Sequence, residues 1–157
     1  MLNNQPKVYF HFQETSSSLS SRRVLKEFIK FLFIKEKTKL GELNYVFCSD
    51  NYLLDLNKRF LKHNFLTDIL SFNLSKLPDP VQGEIYISLD RVHENAIRFE
   101  VSFKQELHRV IFHGALHLCG FKDKGEKDSA LMRRKEDYYL ARYRIACSTN
   151  HSSSRKH

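Results

Sequence analysis

Apolar residues recur along the first half of the chain in patterns typical of alternating strands and helices. Residues 7–12 have the composition of a short strand, and residues 43–48 have that of a second. A helix over about residues 21–36 is predicted by apolar positions at helical spacing: Val24, Leu25, Phe28, Ile29 and Leu32. A serine at its start can cap the free amides. A second helix is predicted from about residue 50 to residue 60.

The second half continues the alternation. Residues 68–74 and 83–89 have strand composition, and a proline-containing loop separates them. A helix is predicted over residues 89–99. Ser102 and Gln105 then form a capping box that opens a helix with a broad apolar surface, which predicts a central, buried helix. Asp128 is predicted to cap a final helix that runs to about Ile145.

These elements predict an α+β fold, with a small mixed β-sheet packed by about five helices. The expected organisation is a single domain over residues 1–147, followed by a disordered polar tail over residues 148–157. With 157 residues, 41% hydrophobic positions and 13 phenylalanines, the chain can bury a core. We expect a cytoplasmic protein, because we find no secretory signal, no apolar run of about 20 residues and only three scattered cysteines.

The formal net charge of +8 favours a polyanionic partner. Basic residues cluster in three segments, over residues 22–30, 35–39 and 133–144. Each cluster is equally compatible with an ordinary solvated helix face. The charge alone therefore does not identify the partner.

One segment of the chain combines two imidazoles with a carboxylate at a spacing suited to metal binding. His113 and His117 are four residues apart, so on a helix their side chains are only about 40° apart around the axis. Gly120 can end the helix in the left-handed conformation and turn Asp123 back towards the imidazoles. Three protein ligands would leave an open position on one divalent metal, with zinc as the default. The alternative is that both histidines are half-buried helix residues without a metal.

The spacing of these residues is also that of the long zinc motif of metzincin proteases. Those enzymes place a glutamate directly after the first histidine as the general base, whereas this chain has Gly114. A peptidase is therefore disfavoured.

The segment over residues 113–121, His-Gly-Ala-Leu-His-Leu-Cys-Gly-Phe, resembles the signature of the bacterial YbeY family. Leu56-Asn57 followed by residues 66–72 resembles a second block of that family, and residues 83–88 resemble the strand block that follows it. The resemblance implies a metal-dependent, single-strand-specific endoribonuclease that acts in maturation of the 3′ end of 16S ribosomal RNA and in ribosome quality control. It also implies ribosomal RNA and the small ribosomal subunit as partners, and His113, His117 and Asp123 as metal ligands.

The chain departs from the family pattern at two positions. Asp123 stands where the family usually has a third histidine, and Leu61 stands where many members have an arginine proposed to be needed for cleavage. Arg59, Lys62 and His63 flank Leu61 and are candidate RNA contacts. The general base and the cation that stabilises the transition state stay unassigned. The alternative function is a non-catalytic, RNA-binding ribosome-assembly factor in which the metal is structural.

Overall fold

The computed structural model describes residues 5–16, 19–61 and 67–153, with side chains described as far as residue 150. Within these residues, four strands form one sheet: β1 (Lys7–Gln13), β2 (Leu40–Cys48), β3 (Ile69–Asn73) and β4 (Val81–Ser88). The same part of the chain forms five α-helices: α1 (Arg22–Lys35), α2 (Asp50–Leu56), α3 (Leu89–Arg98), α4 (Phe103–Leu118) and α5 (Glu126–Ser153). The predicted α+β class is confirmed.

The sheet is mixed, with the strand order β1-β2-β4-β3. β2 pairs in parallel with β1 and with β4, whereas β3 pairs antiparallel with β4 along the edge. The crossover between β1 and β2 contains α1, as parallel neighbours require. Leu43, Tyr45, Ile85 and Ile87 are fully buried between the sheet and its helices.

α4 is the central helix of the fold. Its apolar residues Ile111, Phe112, Ala115 and Leu116 are fully buried, because the helix packs against the sheet on one side and against other helices on the other. The Ser102 hydroxyl accepts a hydrogen bond of 3.0 Å from the Gln105 amide, which confirms the predicted N-terminal cap.

Three local predictions differ from the structure. Ser21 precedes α1 in the left-handed conformation, and its side chain makes no capping bond. The helix predicted to end near residue 60 changes after Leu56 into a π-helical turn over Asn57–Leu61. α5 begins at Glu126, before Asp128, so that aspartate lies inside the first turn instead of capping it.

α5 also continues to Ser153, past its predicted end near residue 145 and into the segment expected to be a disordered tail. The hydroxyls of Ser148 and Thr149 donate to the carbonyls of Arg144 and Ile145, one turn earlier. Both hydroxyls are thus satisfied within the helix itself. Residues 154–157 lie outside the described residues, and the domain boundary stays a prediction. Within the described part of the chain, no helix is both long and apolar enough to cross a bilayer.

Candidate metal centre

The last turn of α4 places the two motif histidines side by side at the edge of a cleft. The Nε2 atoms of His113 and His117 lie 3.0 Å apart, and the two ring planes are nearly perpendicular, at 82°. Both side chains are partly exposed, at 19% for His113 and 27% for His117. The face of the helix that they share is therefore accessible from the cleft.

Gly120 reverses the chain directly after this turn. Its φ of +99° is in the region that favours glycine, and the amide of Phe121 bonds back to the carbonyl of Leu116 over 3.1 Å. The amide of Gly120 bonds in turn to the carbonyl of His117. This pair of bonds is the Schellman arrangement. The reversal brings Asp123 back to the histidines, as its spacing predicts.

The three side chains converge through one atom each. Oδ2 of Asp123 lies 3.2 Å from Nε2 of His113 and 3.1 Å from Nε2 of His117. Ligands held at about 2.0–2.1 Å by a tetrahedral zinc ion lie about 3.3–3.4 Å from one another. The observed triangle is close to that size, and the nitrogen and oxygen donors suit zinc. Metal binding itself stays a prediction.

The outer nitrogen of each histidine is fixed by an acceptor. Nδ1 of His113 donates to Oε2 of Glu136 over 2.8 Å, and Nδ1 of His117 donates to the carbonyl of Phe121 over 2.9 Å. A carboxylate and a carbonyl only accept, so each Nδ1 carries a proton, and in the neutral form of each ring the Nε2 lone pair faces inwards. Three acceptor atoms thus converge on one point, and a cation there would satisfy all of them. Burial opposes the charged form of His113, but Glu136 and Asp123 raise the pKa of its ring, so binding of a cation there competes with a proton.

Glu136 is itself held by a second partner. It is buried in α5, at 5% exposure, and Nη1 of Arg109 donates to its Oε1 over 3.0 Å. Burial opposes ionisation of this carboxyl, but the hydrogen bonds from His113 and Arg109 outweigh it and hold the pKa of Glu136 below its ordinary value. The carboxylate therefore stays charged and orients the His113 ring.

The cleft beside the triad has a volume of about 1100 Å³. Among the described residues, three basic side chains line it: Arg109, Lys124 and Arg133. Arg109 is committed to Glu136 and Asp137, whereas Arg133 is 58% exposed and lies 3.9 Å from Glu136. Neither Lys124 nor Arg133 is distinguished by the sequence from the other basic residues. Arg133 reaches the cleft through the packing of α5 against α4, whereas Lys124 lies in the loop between these two helices.

Asp68, directly before β3, is a further carboxylate in the cleft lining. No side chain of the described residues forms a hydrogen bond or an ion pair with it. Burial is the largest influence on its pKa, which is raised even though His113 lowers it. The structure thus places this carboxylate, at the start of a strand, inside the cleft.

The predicted RNA contacts are only partly described. Arg59 is 71% exposed in the π-helical turn and pairs with Asp55 over 3.2 Å, while Lys62 and His63 lie outside the described residues. Leu61, at the position where the resemblance places an arginine, lines the cleft with 40% exposure. His108 is buried against Phe112 and Tyr143, away from the triad, as its spacing from His113 predicts.

Similar proteins match this chain over most of its length. The endoribonuclease YbeY of Flavobacterium psychrophilum is 42% identical over 145 residues, which cover 92% of this chain and 98% of that protein. The endoribonuclease YbeY of Cytophaga hutchinsonii is 43% identical over 134 residues, or 85% of this chain and 94% of that protein. The solution structure of TM1509 from Thermotoga maritima matches with a TM-score of 0.62 and 29% identity, covering 90% of this chain and 93% of that one.

The α+β fold carries a candidate metal centre beside an open cleft, an arrangement suited to a metal-dependent hydrolase. The sequence model described as endoribonuclease YbeY matches residues 3–144. The chain belongs to the YbeY family of endoribonucleases, and it is accordingly an RNA-cleaving hydrolase. The family resemblance of the histidine segment is thereby confirmed.

Proposed function

We propose that this protein is a zinc-dependent endoribonuclease of single-stranded RNA that acts in maturation of the 3′ end of 16S ribosomal RNA and in ribosome quality control. Its partners are ribosomal RNA and the small ribosomal subunit, in the cytoplasm. The observation that carries the proposal is the convergence of His113, His117 and Asp123 beside an open cleft in a chain of the YbeY family. The net charge of +8 supports a polyanionic substrate.

His113, His117 and Asp123 would hold the metal, with Glu136 and the Phe121 carbonyl fixing the rings. A divalent ion held there would supply Lewis acidity for phosphodiester hydrolysis. The oxygen of the attacking water bonds to phosphorus while the P–O bond to the leaving nucleotide breaks, and that nucleotide leaves with a proton from solvent. Asp68 accepts the proton of the attacking water, since its carboxylate makes no hydrogen bond to a side chain of the described residues. Arg133 and Lys124 face the same cleft and stabilise the negative charge of the phosphate.

The proposed RNA contacts near Leu61 extend the same surface. Arg59 is exposed close to the cleft residue Leu61, and its ion pair with Asp55 is an exposed one that a phosphate can replace. We propose Arg59, Lys62 and His63 as contacts to the RNA backbone. Phosphate contacts of this kind position the strand without reading its sequence.

A direct test is cleavage of a single-stranded RNA that carries the 3′ end of 16S ribosomal RNA. Wild type, His117→Ala and the control His11→Ala should be prepared identically, since His11 bonds to Asn44 on the first strands of the sheet and does not line the cleft. We expect about one equivalent of zinc and cleavage by wild type and His11→Ala, and loss of both in His117→Ala. Equal cleavage by all three proteins would point to a contaminating nuclease and remove the support for a metal-dependent reaction.

The second candidate function is a non-catalytic RNA-binding assembly factor. The observation that favours it is Leu61, because an apolar side chain lines the cleft where the resemblance places an arginine. This candidate predicts that wild type binds the RNA and retains zinc but produces no cleavage. Zinc and RNA binding without turnover, also in the presence of small ribosomal subunits, would favour it over the nuclease.

A further inference from the structure

An exposed aromatic ring lies in the lining of the cleft, at the end of α3. Phe99 follows the last residue of α3, and it is 51% exposed. Single exposed apolar residues are common on protein surfaces, so exposure alone indicates nothing. The position of this ring is different, because it lies in the same cleft as the histidine triad.

Backbone hydrogen bonds to the last turn of α3 fix the conformation of the chain around Phe99. The amide of Phe99 donates to the carbonyl of Asn95 over 2.9 Å, and the amide of Val101 donates to the carbonyl of Ala96 over 3.0 Å. Glu100 between them has a φ of +56°, which turns the chain sharply away from the helix. The backbone that carries the ring is therefore already fixed at the helix end, so contact with a ligand costs little conformational entropy of the backbone.

Two polar side chains accompany the ring. The guanidinium carbon of Arg98 lies 5.7 Å from the centre of the Phe99 ring, which places a positive charge beside it. Asn95, one helical turn before Phe99, also lines the cleft. Its carboxamide has no hydrogen-bonding partner among the described residues, so its donor and acceptor are available to a ligand.

We propose that Phe99 stacks on an unpaired nucleobase of the RNA and that the Asn95 carboxamide bonds to the edge of the same base. This inference rests on the proposed function. Every base has a π face that an aromatic ring can stack on, and a carboxamide offers both a donor and an acceptor to a base edge. Arg98 lies where it attracts the phosphate of that nucleotide. A base in a duplex is stacked and paired, so this subsite contributes to selection of single strands.

The test is equilibrium binding of a single-stranded RNA that contains 2-aminopurine, with metal-loaded protein and with the integrity of the RNA checked on a denaturing gel. Stacking of one base contributes enough that Phe99→Ala should weaken binding roughly 5- to 150-fold. Phe99→Leu, which keeps most of the apolar surface, should lose a similar factor, and Phe99→Trp should restore tight binding and quench the fluorescence. Asn95→Ala should give a smaller loss.

Ile97→Ala is the matched control, because Ile97 is 80% exposed on the same helix and is not among the cleft-lining residues described. It should bind as wild type does. An RNA series with one abasic position at a time should reveal one sensitive position in wild type and none in Phe99→Ala. Wild-type affinity of Phe99→Ala, or an equal loss in Ile97→Ala, would overturn the stacking site.

The two proposals fail in different ways in this experiment. Cleavage by wild type together with unchanged binding by Phe99→Ala would remove the base subsite and leave the nuclease intact. Absence of RNA binding by wild type would overturn both. A ring that contacts a protein partner instead would appear as unchanged RNA affinity in every Phe99 variant, which also rejects the proposal.

Discussion

Nδ1 of His113 lies 2.8 Å from the carboxylate of Glu136, although the two residues are 23 positions apart in the chain. The bond joins α4 to α5 directly behind the candidate metal centre. Because Arg109 holds the other oxygen of Glu136, the ring of His113 is oriented by a carboxylate that is itself fixed. The predicted metal ligand His113 is thus oriented by the ion pair of Glu136 and Arg109, which both lie outside the segment over residues 113–123.

Glu136→Gln should weaken zinc binding about 10- to 100-fold, because the amide replaces a charged acceptor by a neutral one while keeping the shape of the side chain. The measurement is a competition titration with a chromophoric chelator. Asp137→Asn is the control, since Asp137 is 59% exposed and contacts Arg109 instead of a histidine. Equal zinc affinity of wild type and Glu136→Gln would show that Glu136 has no part in orienting the ligand.

Asp68→Asn should lower kcat by about 10²- to 10⁴-fold, the usual contribution of a group that transfers a proton in the transition state. Zinc content and RNA affinity should stay unchanged, because Asp68 is outside the converging triad. Asp68→Glu should recover part of the rate, and Asp79→Asn, in the exposed loop between β3 and β4, should behave as wild type. A loss of zinc in Asp68→Asn would instead indicate a structural role.

Arg133→Met should reduce kcat by about 10- to 1000-fold, because the charge of Arg133 is proposed to stabilise the transition state. The affinity for RNA should fall by a smaller factor. The control is Arg134→Met, because Arg134 is the neighbouring basic residue and is not among the residues that line the cleft. Leu61→Arg in the Arg133→Met protein should restore part of the rate, since position 61 faces the same cleft. The comparison is made by steady-state kinetics, and an unaltered kcat in Arg133→Met would exclude Arg133 as the cation.

The candidate centre could be predicted where its geometry is local. His113, His117 and Gly120 are placed by one helix and its C-terminal turn, and these follow from residue spacing. Glu136 could not be predicted, because its role depends on how α5 packs against α4. Asp68 likewise comes to the cleft only through the pairing of β3 with β4, which no short-range pattern specifies.

The same contrast applies to the fold. The apolar spacing of α1 and the cap of α4 at Ser102 are short-range features of the sequence. The observed ends of α1 and the observed start of α4 are accordingly close to those predicted. The end of α5 is different, because its last turns contain polar residues that offer no apolar periodicity. The side-chain bonds of Ser148 and Thr149 that accompany this extension become visible only in the folded helix.

Gly114, which directly follows the first histidine of the motif, lies where α4 packs closely against the sheet. A Cβ at this position would lie 2.9 Å from side-chain atoms of Ile69 and Ile85, where α4 crosses the sheet. Gly114→Ala should therefore destabilise the protein by about 1–3 kcal/mol through overpacking, partly offset by the better helix propensity of alanine. Urea unfolding measures the change. A variant as stable as wild type would mean that the two isoleucines move aside at no cost.

His108 should make the stability of the protein depend on pH. Burial, with a smaller influence from Lys104, lowers its pKa from the ordinary 6.5 to about 4. The unfolded chain therefore binds the proton more readily than the folded protein does. Above pH 6.5 His108 is neutral in both states, and as the pH falls from 6.5 towards 4 the free energy of unfolding decreases, because only the unfolded chain takes up the proton. Between pH 7 and pH 5 this one group accounts for about 2 kcal/mol of unfolding free energy.

The measurement is urea unfolding of wild type and His108→Phe at both pH values. Phenylalanine can keep the ring contacts with Phe112 and Tyr143 but cannot take up a proton. The variant should lose about 2 kcal/mol less than wild type between pH 7 and pH 5, whatever its absolute stability, because the other titrating groups are common to both proteins. Equal losses in the two proteins would show that His108 takes up its proton as readily in the folded state as in the unfolded chain.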